Sequence, residues 1–316
     1  MVAQDQYLLQ VRNLTKYLLI KMPDSVVRRA ILAEVGFEIK VGSSFGLAGL
    51  PGCGISTLVR LILRESNPDI GEIFFDGRNI SQISMDELSP MIRQVFRTQK
   101  PKLDYSKTLL EVIEESSKCK TPESQRRAEP VEVAKKMQAT FQLWVNPDKK
   151  LGAYSYSTDQ LRKVELAVAL ISAPKLLILG QYLGSSSEER QETLRILREV
   201  KSTLGLTCFF TEERLGPLEQ VCDTIATIFL GEIVEIGQDV AKDPIHPYSR
   251  FLKSYGEKGL DDPEWYFDNA SQFGSFNDVS GCTFHPFCTY ARDSCRFQKP
   301  KMAEADKHRW VACHRA

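Results

Sequence analysis

Four cysteines crowd the last part of this chain. Cys282, Cys288, Cys295 and Cys313 are separated by five, six and seventeen residues. Four thiolates converging from one loop segment can ligate a 4Fe-4S cluster. The same tetrad can hold zinc, as four cysteines or with His285 or His314 substituting. The spacing does not decide between these, because the tight Cys-x-x-Cys pairs of the most specific motifs are absent, and free thiols in a small packed tail remain a third reading. A second chemistry is suggested far upstream. In "GLPGCGIST" (49–57), Gly49, Gly52, Gly54, Ser56 and Thr57 match the spacing of a phosphate-cradling loop, GxxxxGK followed by Ser or Thr. Ile55 stands where that pattern has its lysine.

The flanking sequence supplies the setting such a loop requires. "SFGLAGL" (44–50) reads as a buried strand feeding the glycine turn, and "STLVRLILRE" (56–65) as the helix that follows. "GEIFFDGRNI" (71–80) reads as a hairpin strand turning at Asp76-Gly77. Between about 82 and 165 the pattern turns helical and more charged. "PKLLILG" (174–180) is a second buried strand, and the serines after it are suited to cap the helix of "EERQETLRILREV". "LTCFFT" (206–211) and "TIATIFLGEIVEIG" (224–237) complete the strand set. Short strands alternating with helices predict an α/β layer fold. A loop-like stretch rich in Asp, Asn, Gly and Ser, about 256–281, divides a main domain (1–255) from the cysteine-rich tail (282–316).

Composition narrows the classes. The 316 residues are 42% hydrophobic, enough for a sizeable core and a second, smaller unit. Lysine plus arginine and aspartate plus glutamate both number 41, so the balance points neither to nucleic acid nor to an anionic membrane surface. No apolar run approaches bilayer length and no signal core opens the chain, so the expected setting is intracellular, with membrane contact made through a partner. A disulfide framework is not expected there.

Taken in order, "GLPGCGIST", "IRQVFRT" (92–98), "YSTDQLRKVELAVAL" (156–170), "PKLLILGQYLGSSS", "GEIVEIG" (231–237) and "HPYSRFL" (246–252) resemble the ATP-binding subunit of ABC transporters. "HPYSRFL" with "GCTFHPFC" (281–288) and "VACH" (311–314) resembles its oligopeptide and dipeptide importer branch in particular. The resemblance covers nearly the whole chain. It implies a RecA-like core with an antiparallel β layer, a helical subdomain at about 82–165, and a head-to-tail dimer enclosing two ATP molecules. It also implies adenine stacked on Tyr17, a Ser157 and Gln160 signature contact to the partner's ATP, and an iron–sulfur cluster in the tail. The implied partners are a second ATP-binding subunit, two transmembrane permeases and, indirectly, a substrate-binding protein, with this chain on the inner face of the membrane.

The departures from the family pattern all fall on ATP chemistry. Ile55 supplies neither charge nor donor, and a unit charge pair near 4 Å is worth about 4 kcal/mol at an effective dielectric of 20, roughly a thousandfold in affinity. Where the family has Asp then Glu after the buried strand, for Mg²⁺ and for polarising water, the chain has Gly180 and Gln181. Gln181 can bind a water but cannot take its proton. Arg97 aligns with the glutamine that joins core and helical subdomain, and Glu212, or Glu213 after a one-residue slip, with the switch histidine. The signature reads Tyr156-Ser157-Thr158-Asp159-Gln160, in which a carboxylate replaces a glycine that lets backbone approach the γ-phosphate.

Each feature also has a plainer reading. "GLPGCGIST" is also what a ligand-free glycine turn looks like, Arg97 a solvated loop residue, Asp159 a cap for a helix starting near Gln160, and Tyr17 half-buried packing. The expected function is a non-catalytic ABC subunit that scaffolds or regulates a peptide importer, with ATP binding weak or absent. The alternative is an energy-coupling ATPase using atypical groups, for which Glu188, Glu189, Glu212 and Glu213 are the acidic candidates. A decaying gene is the third possibility.

Overall fold

The computed structural model describes residues 7–22, 25–96, 103–118, 139, 148–153, 158–183, 187–257 and 280–316. They form two compact units, one of residues 1–81 with 211–316 and one of residues 82–210. Arg97, Tyr156, Ser157, Ser185 and Ser186 lie outside the described residues, as does most of the stretch at 256–281.

The first unit opens with a long antiparallel hairpin, β1 (Tyr7–Met22) on β2 (Ser25–Lys40). The other edge of β1 takes β4 (Ile70–Phe75), which turns back into β5 (Arg78–Asn79), giving the order β2-β1-β4-β5. The turn is the predicted Asp76-Gly77, both residues left-handed at φ 50° and 77°, as a two-residue hairpin with native strand twist requires. Alternation buries one face: Leu9 and Val11 on β1, and Val35, Phe37 and Ile39 on β2. This is the expected antiparallel layer.

The other strands of this unit are β3 (Ser44–Ala48), β9 (Thr224–Phe229), β10 (Glu232–Gly237) and, from the tail, β11 (Ala303–Asp306) and β12 (Arg309–Val311). β3 runs parallel to β9, while β9, β10, β12 and β11 follow antiparallel. All five β3 residues are buried, as an apolar run covered on both faces predicts. The cysteine-bearing tail is thus tied to the main sheet by backbone pairing, with Glu235 opposite Val311. Helices α1 (Ile55–Ile62), α6 (Gly216–Glu219), α7 (Pro247–Glu257) and α8 (Asp293–Phe297) complete the unit.

In the second unit β6 (Ile92–Phe96) pairs in parallel with β7 (Leu176–Gly180), and α2 (Met85–Met91), α3 (Leu109–Lys118), α4 (Thr158–Ile171) and α5 (Ser187–Leu204) surround them. β8 (Thr207–Glu212) carries the chain back to the first unit. Two expectations are corrected here. The region from about 82 to 165 is not purely helical, because β6 lies in it; Ile92 and Val95 enter the core, and backbone pairing with β7 outweighs the charged, helix-like surroundings. The helix expected to start near Gln160 starts at Thr158, so Asp159 lies within it and not ahead of it. Among the described residues no helix is long and apolar enough to cross a membrane.

Candidate functional site

The glycine loop is fixed at both ends by hydrogen bonds. Entering it, the Gly49 N–H donates to the Glu212 carbonyl at 3.0 Å and the Leu50 N–H to the Tyr248 hydroxyl at 3.0 Å. Inside it, the Cys53 N–H donates to the Leu50 carbonyl and the Gly231 N–H to the Cys53 carbonyl, at 3.1 and 2.8 Å. Gly54 has φ 106°, and an ideal Cβ there would lie 2.8 Å from the Ile31 carbonyl oxygen on β2. Only glycine meets both conditions. Gly52 is equally left-handed at φ 85°, but nothing lies within 4 Å of its Cβ position.

The loop delivers the chain to the N-terminus of α1, where Gly54 contributes no side-chain cap and the first turn carries no acidic residue. The helix's own first turn therefore does nothing to offset its positive end. Ser56 is exposed and Thr57 half-buried, so both hydroxyls flank that end. Ile55 is half-buried and adds no charge. Its N–H lies on the sulfur of Cys53, a thiol that burial pushes up to about 12, with the nearby Glu213 charge acting in the same direction. Cys53 is thus a neutral packing residue, not a nucleophile.

Tyr17, the expected stacking aromatic, is half-buried on β1, where its N–H donates to Asp69 Oδ2 at 2.9 Å. Lys16 Nζ lies 3.2 Å from the same oxygen. The Arg28 guanidinium sits 3.8 Å from the Tyr17 ring centroid. Glu212 closes β8 with its carbonyl on the loop, and Glu213 follows it, half-buried. The first unit thus brings Gly49, Gly52, Gly54, Ile55, Ser56, Thr57, Glu212 and Glu213 together, with Tyr17 one strand away.

Gly180 and Gln181 belong to the second unit. Gly180 ends β7 opposite Phe96 on β6, and an ideal Cβ on Gly180 would stand 1.9 Å from the Phe96 Cδ1 atom. The aromatic ring fills the space any side chain at 180 would enter. Gln181 is half-buried with φ 49°. Gln160 is exposed on α4.

In the tail, backbone N–H groups are aimed at three of the four sulfurs. Phe284 donates to Cys282 and Tyr290 to Cys288, while the Arg292 N–H lies 3.5 Å from Cys295 Sγ. Burial pushes the Cys282 thiol up to about 11, and Cys295, Cys313 and Cys288 all act on it, so the four are electrostatic neighbours. Burial likewise raises Cys288. His285 Nδ1 contacts the Cys282 carbonyl and His314 Nε2 the Gln298 carbonyl, each at 2.8 Å. Among the described residues no three His, Cys, Asp or Glu side chains are grouped to hold a single metal ion.

Sequence reasoning missed what holds the loop and tail in place. Tyr248, whose hydroxyl receives the Leu50 N–H, lies within the quoted "HPYSRFL", but nothing local signals that contact. Glu235, fully buried, accepts from the Ile245 and His246 N–H groups at 2.9 and 3.0 Å, and from Arg309 Nη2 at 2.7 Å. Arg309 also donates to the Asp243 carbonyl.

The ABC transporter profile matches residues 32–180. A Brucella ovis protein named as a peptide import ATP-binding protein is 29% identical over 319 residues, covering 98% of each chain. The oligopeptide transport ATP-binding protein AppF of Bacillus subtilis is 27% identical, covering 99% of this chain and 98% of its own. The structure of cbiO1 from Clostridium perfringens, part of an ABC transporter complex, superposes with a TM-score of 0.61 at 21% identity, over 82% of this chain and 97% of that one. An ATP-binding cassette of an ABC transporter in its ADP conformation gives 0.59 at 23% identity, over 82% and 96%. These likenesses establish the α/β fold of an ATP-binding cassette.

Proposed function

Because the chain carries an ABC transporter ATP-binding domain, we propose that it is the non-catalytic ATP-binding-type subunit of a peptide importer. It pairs with an ATPase-competent subunit, docks on two transmembrane permeases at the inner face of the membrane, and positions or regulates its partner. The relatives named for peptide and oligopeptide transport support the substrate class.

The observation that carries the non-catalytic reading is the Phe96 ring against Gly180. The position that would organise Mg²⁺ has neither a carboxylate nor room for one, and metal-assisted phosphoryl transfer needs that ligand. Ile55 adds the loss of the loop's cation, which leaves ATP binding weak or absent. The N-terminus of α1, with no acidic residue in its own first turn, retains some attraction for an anion.

For the tail the reading proposed is a 4Fe-4S cluster held by Cys282, Cys288, Cys295 and Cys313, whose number and residue type suit that group. Backbone donors on three sulfurs stabilise thiolate ligands. Zinc, held by the same four cysteines or with His285 or His314 substituting, is the alternative. The group would act as a staple for a tail too small to bury a core of its own.

One observation bears on the ATPase alternative: the charge of Glu213, one of the acidic candidates, acts on the Cys53 sulfur in the loop. Both readings are tested by isolating the chain with its partner subunit and measuring ATP binding and hydrolysis. The expected turnover is abolished by substitution in the partner only. Turnover that disappears with Glu212→Gln or Glu213→Gln in this chain, and survives substitution in the partner, overturns the non-catalytic reading. Anaerobic purification with elemental analysis and visible absorbance is expected to give iron with sulfide; one zinc per chain without iron refutes the cluster.

A further inference from the structure

The ring of Tyr17 is not bare, and what covers it belongs to the same hairpin. Tyr17 pairs with Ala30 across β1 and β2. Arg28, two residues along β2, is the diagonal neighbour on that side of the sheet. Its guanidinium carbon lies 3.8 Å from the ring centroid, a flat cation on a π face. Asp69 secures the pair, holding the Tyr17 N–H at 2.9 Å and Lys16 at 3.2 Å while feeling the charge of Arg28.

The same strand reaches the glycine loop. Ile31 directly follows Ala30, and its carbonyl is the atom 2.8 Å from the Cβ position of Gly54. The covered ring and the loop are therefore served by one short stretch of β2, Arg28 to Ile31.

We propose that Arg28 occupies the face of Tyr17 on which a nucleobase would stack, so that the chain fills its own base site and the loop admits a phosphate group without its base. The proposal rests on the reading of Tyr17 and the loop as a nucleotide site. An incoming base must displace the guanidinium from the ring. The opposite role, Arg28 swinging toward the loop to replace the missing lysine charge, predicts the reverse effect of removing it.

The test is calorimetric titration of the full chain and of Arg28→Ala, Ile55→Lys and the double variant, with AMP-PNP and with inorganic tripolyphosphate. AMP-PNP keeps the measurement independent of hydrolysis and so of the non-catalytic reading. Arg28→Ala in the Ile55→Lys background is expected to tighten AMP-PNP at least about fivefold and leave tripolyphosphate unchanged. Adding Tyr17→Ala is expected to cancel the gain. Should Ile55→Lys not fold, thermal shift of the wild-type chain and of Arg28→Ala in millimolar AMP-PNP serves instead, with stabilisation expected only in the variant. An unchanged AMP-PNP affinity overturns the proposal, and a loss of both ligands on Arg28→Ala overturns it in favour of a phosphate contact. Tripolyphosphate binding without AMP-PNP binding in every variant also overturns it, while leaving the phosphate loop intact.

Discussion

Phe96 and Gly180 face each other at the end of the β6 and β7 pairing, and the ring of one takes the side-chain space of the other. The two replacements are therefore coupled. Restoring an aspartate at 180 cannot by itself restore a metal ligand, because the carboxylate would enter the volume of an aromatic ring.

The first prediction follows from that coupling. Gly180→Ala is expected to destabilise the protein by about 1–3 kcal/mol, the usual cost of overpacking. In a Phe96→Ala background the same change is expected to cost much less, giving a coupling on the order of 1 kcal/mol or more. Denaturant titration of the four proteins measures it. Additive costs would show that the ring moves aside freely.

A second prediction separates backbone strain from steric conflict in the glycine loop. Gly52 and Gly54 are both left-handed, but only Gly54 has a carbonyl, that of Ile31, at its Cβ position. Gly52→Ala is expected to cost about 1–2 kcal/mol from conformation alone. Gly54→Ala is expected to cost about 1–3 kcal/mol more. Thermal melts of the two variants decide it, and equal shifts would mean that the Ile31 contact relaxes at no cost.

How much of this was legible follows from which signals are local. The buried runs of β3 and β7, the Asp76-Gly77 turn and the strand, loop and helix around Gly54 are written in short stretches, and they read correctly. Ile55, Gly180 and Gln181 were visible as departures because the motif spacing fixes where to look. β6 was hidden because five residues in a charged region carry too little pattern, and its partner strand is about eighty residues away. Arg28 on Tyr17 depends on the register of a long hairpin with several irregularities, which alternation alone does not encode. Glu232 and Glu235 look alike in "GEIVEIG", yet only Glu235 is fully buried, because Arg309 and two backbone N–H groups arrive there from elsewhere in the chain.

That buried pair yields a third prediction. Arg309 is the buried charged link between the tail and the main sheet among the described residues, with Nη2 2.7 Å from Glu235 Oε1 and both side chains almost inaccessible. Removing one partner leaves a charge uncompensated, so Arg309→Met is expected to cost about 3–5 kcal/mol. Adding Glu235→Gln is expected to recover part of that loss, because a neutral amide at this position needs no cation beside it. Equilibrium unfolding with tryptophan fluorescence follows this directly, since Trp310 adjoins Arg309 in β12. Equal or greater loss in the double variant would place the main energetic role with the two N–H bonds from Ile245 and His246.

The last prediction concerns pH. His246 is buried, and burial alone holds its imidazole down to about 3. Its Nδ1 accepts the Tyr248 N–H at 3.1 Å, a bond only the neutral ring can accept. The sign follows from comparing the two states. The unfolded chain takes up a proton on this histidine as pH falls below about 6.5, whereas the folded chain does so only near 3. Stability is therefore full above the unfolded value and is lost progressively from there down toward the folded one, by up to about 1.4 kcal/mol per pH unit. Tyr248 also receives the Leu50 N–H at the entrance of the glycine loop, so the loss should reach that loop through the start of α7. Urea unfolding at several pH values between 6.5 and 4 is expected to show a slope that flattens in His246→Asn. Equal slopes in the two proteins would mean that His246 protonates within the folded state without cost.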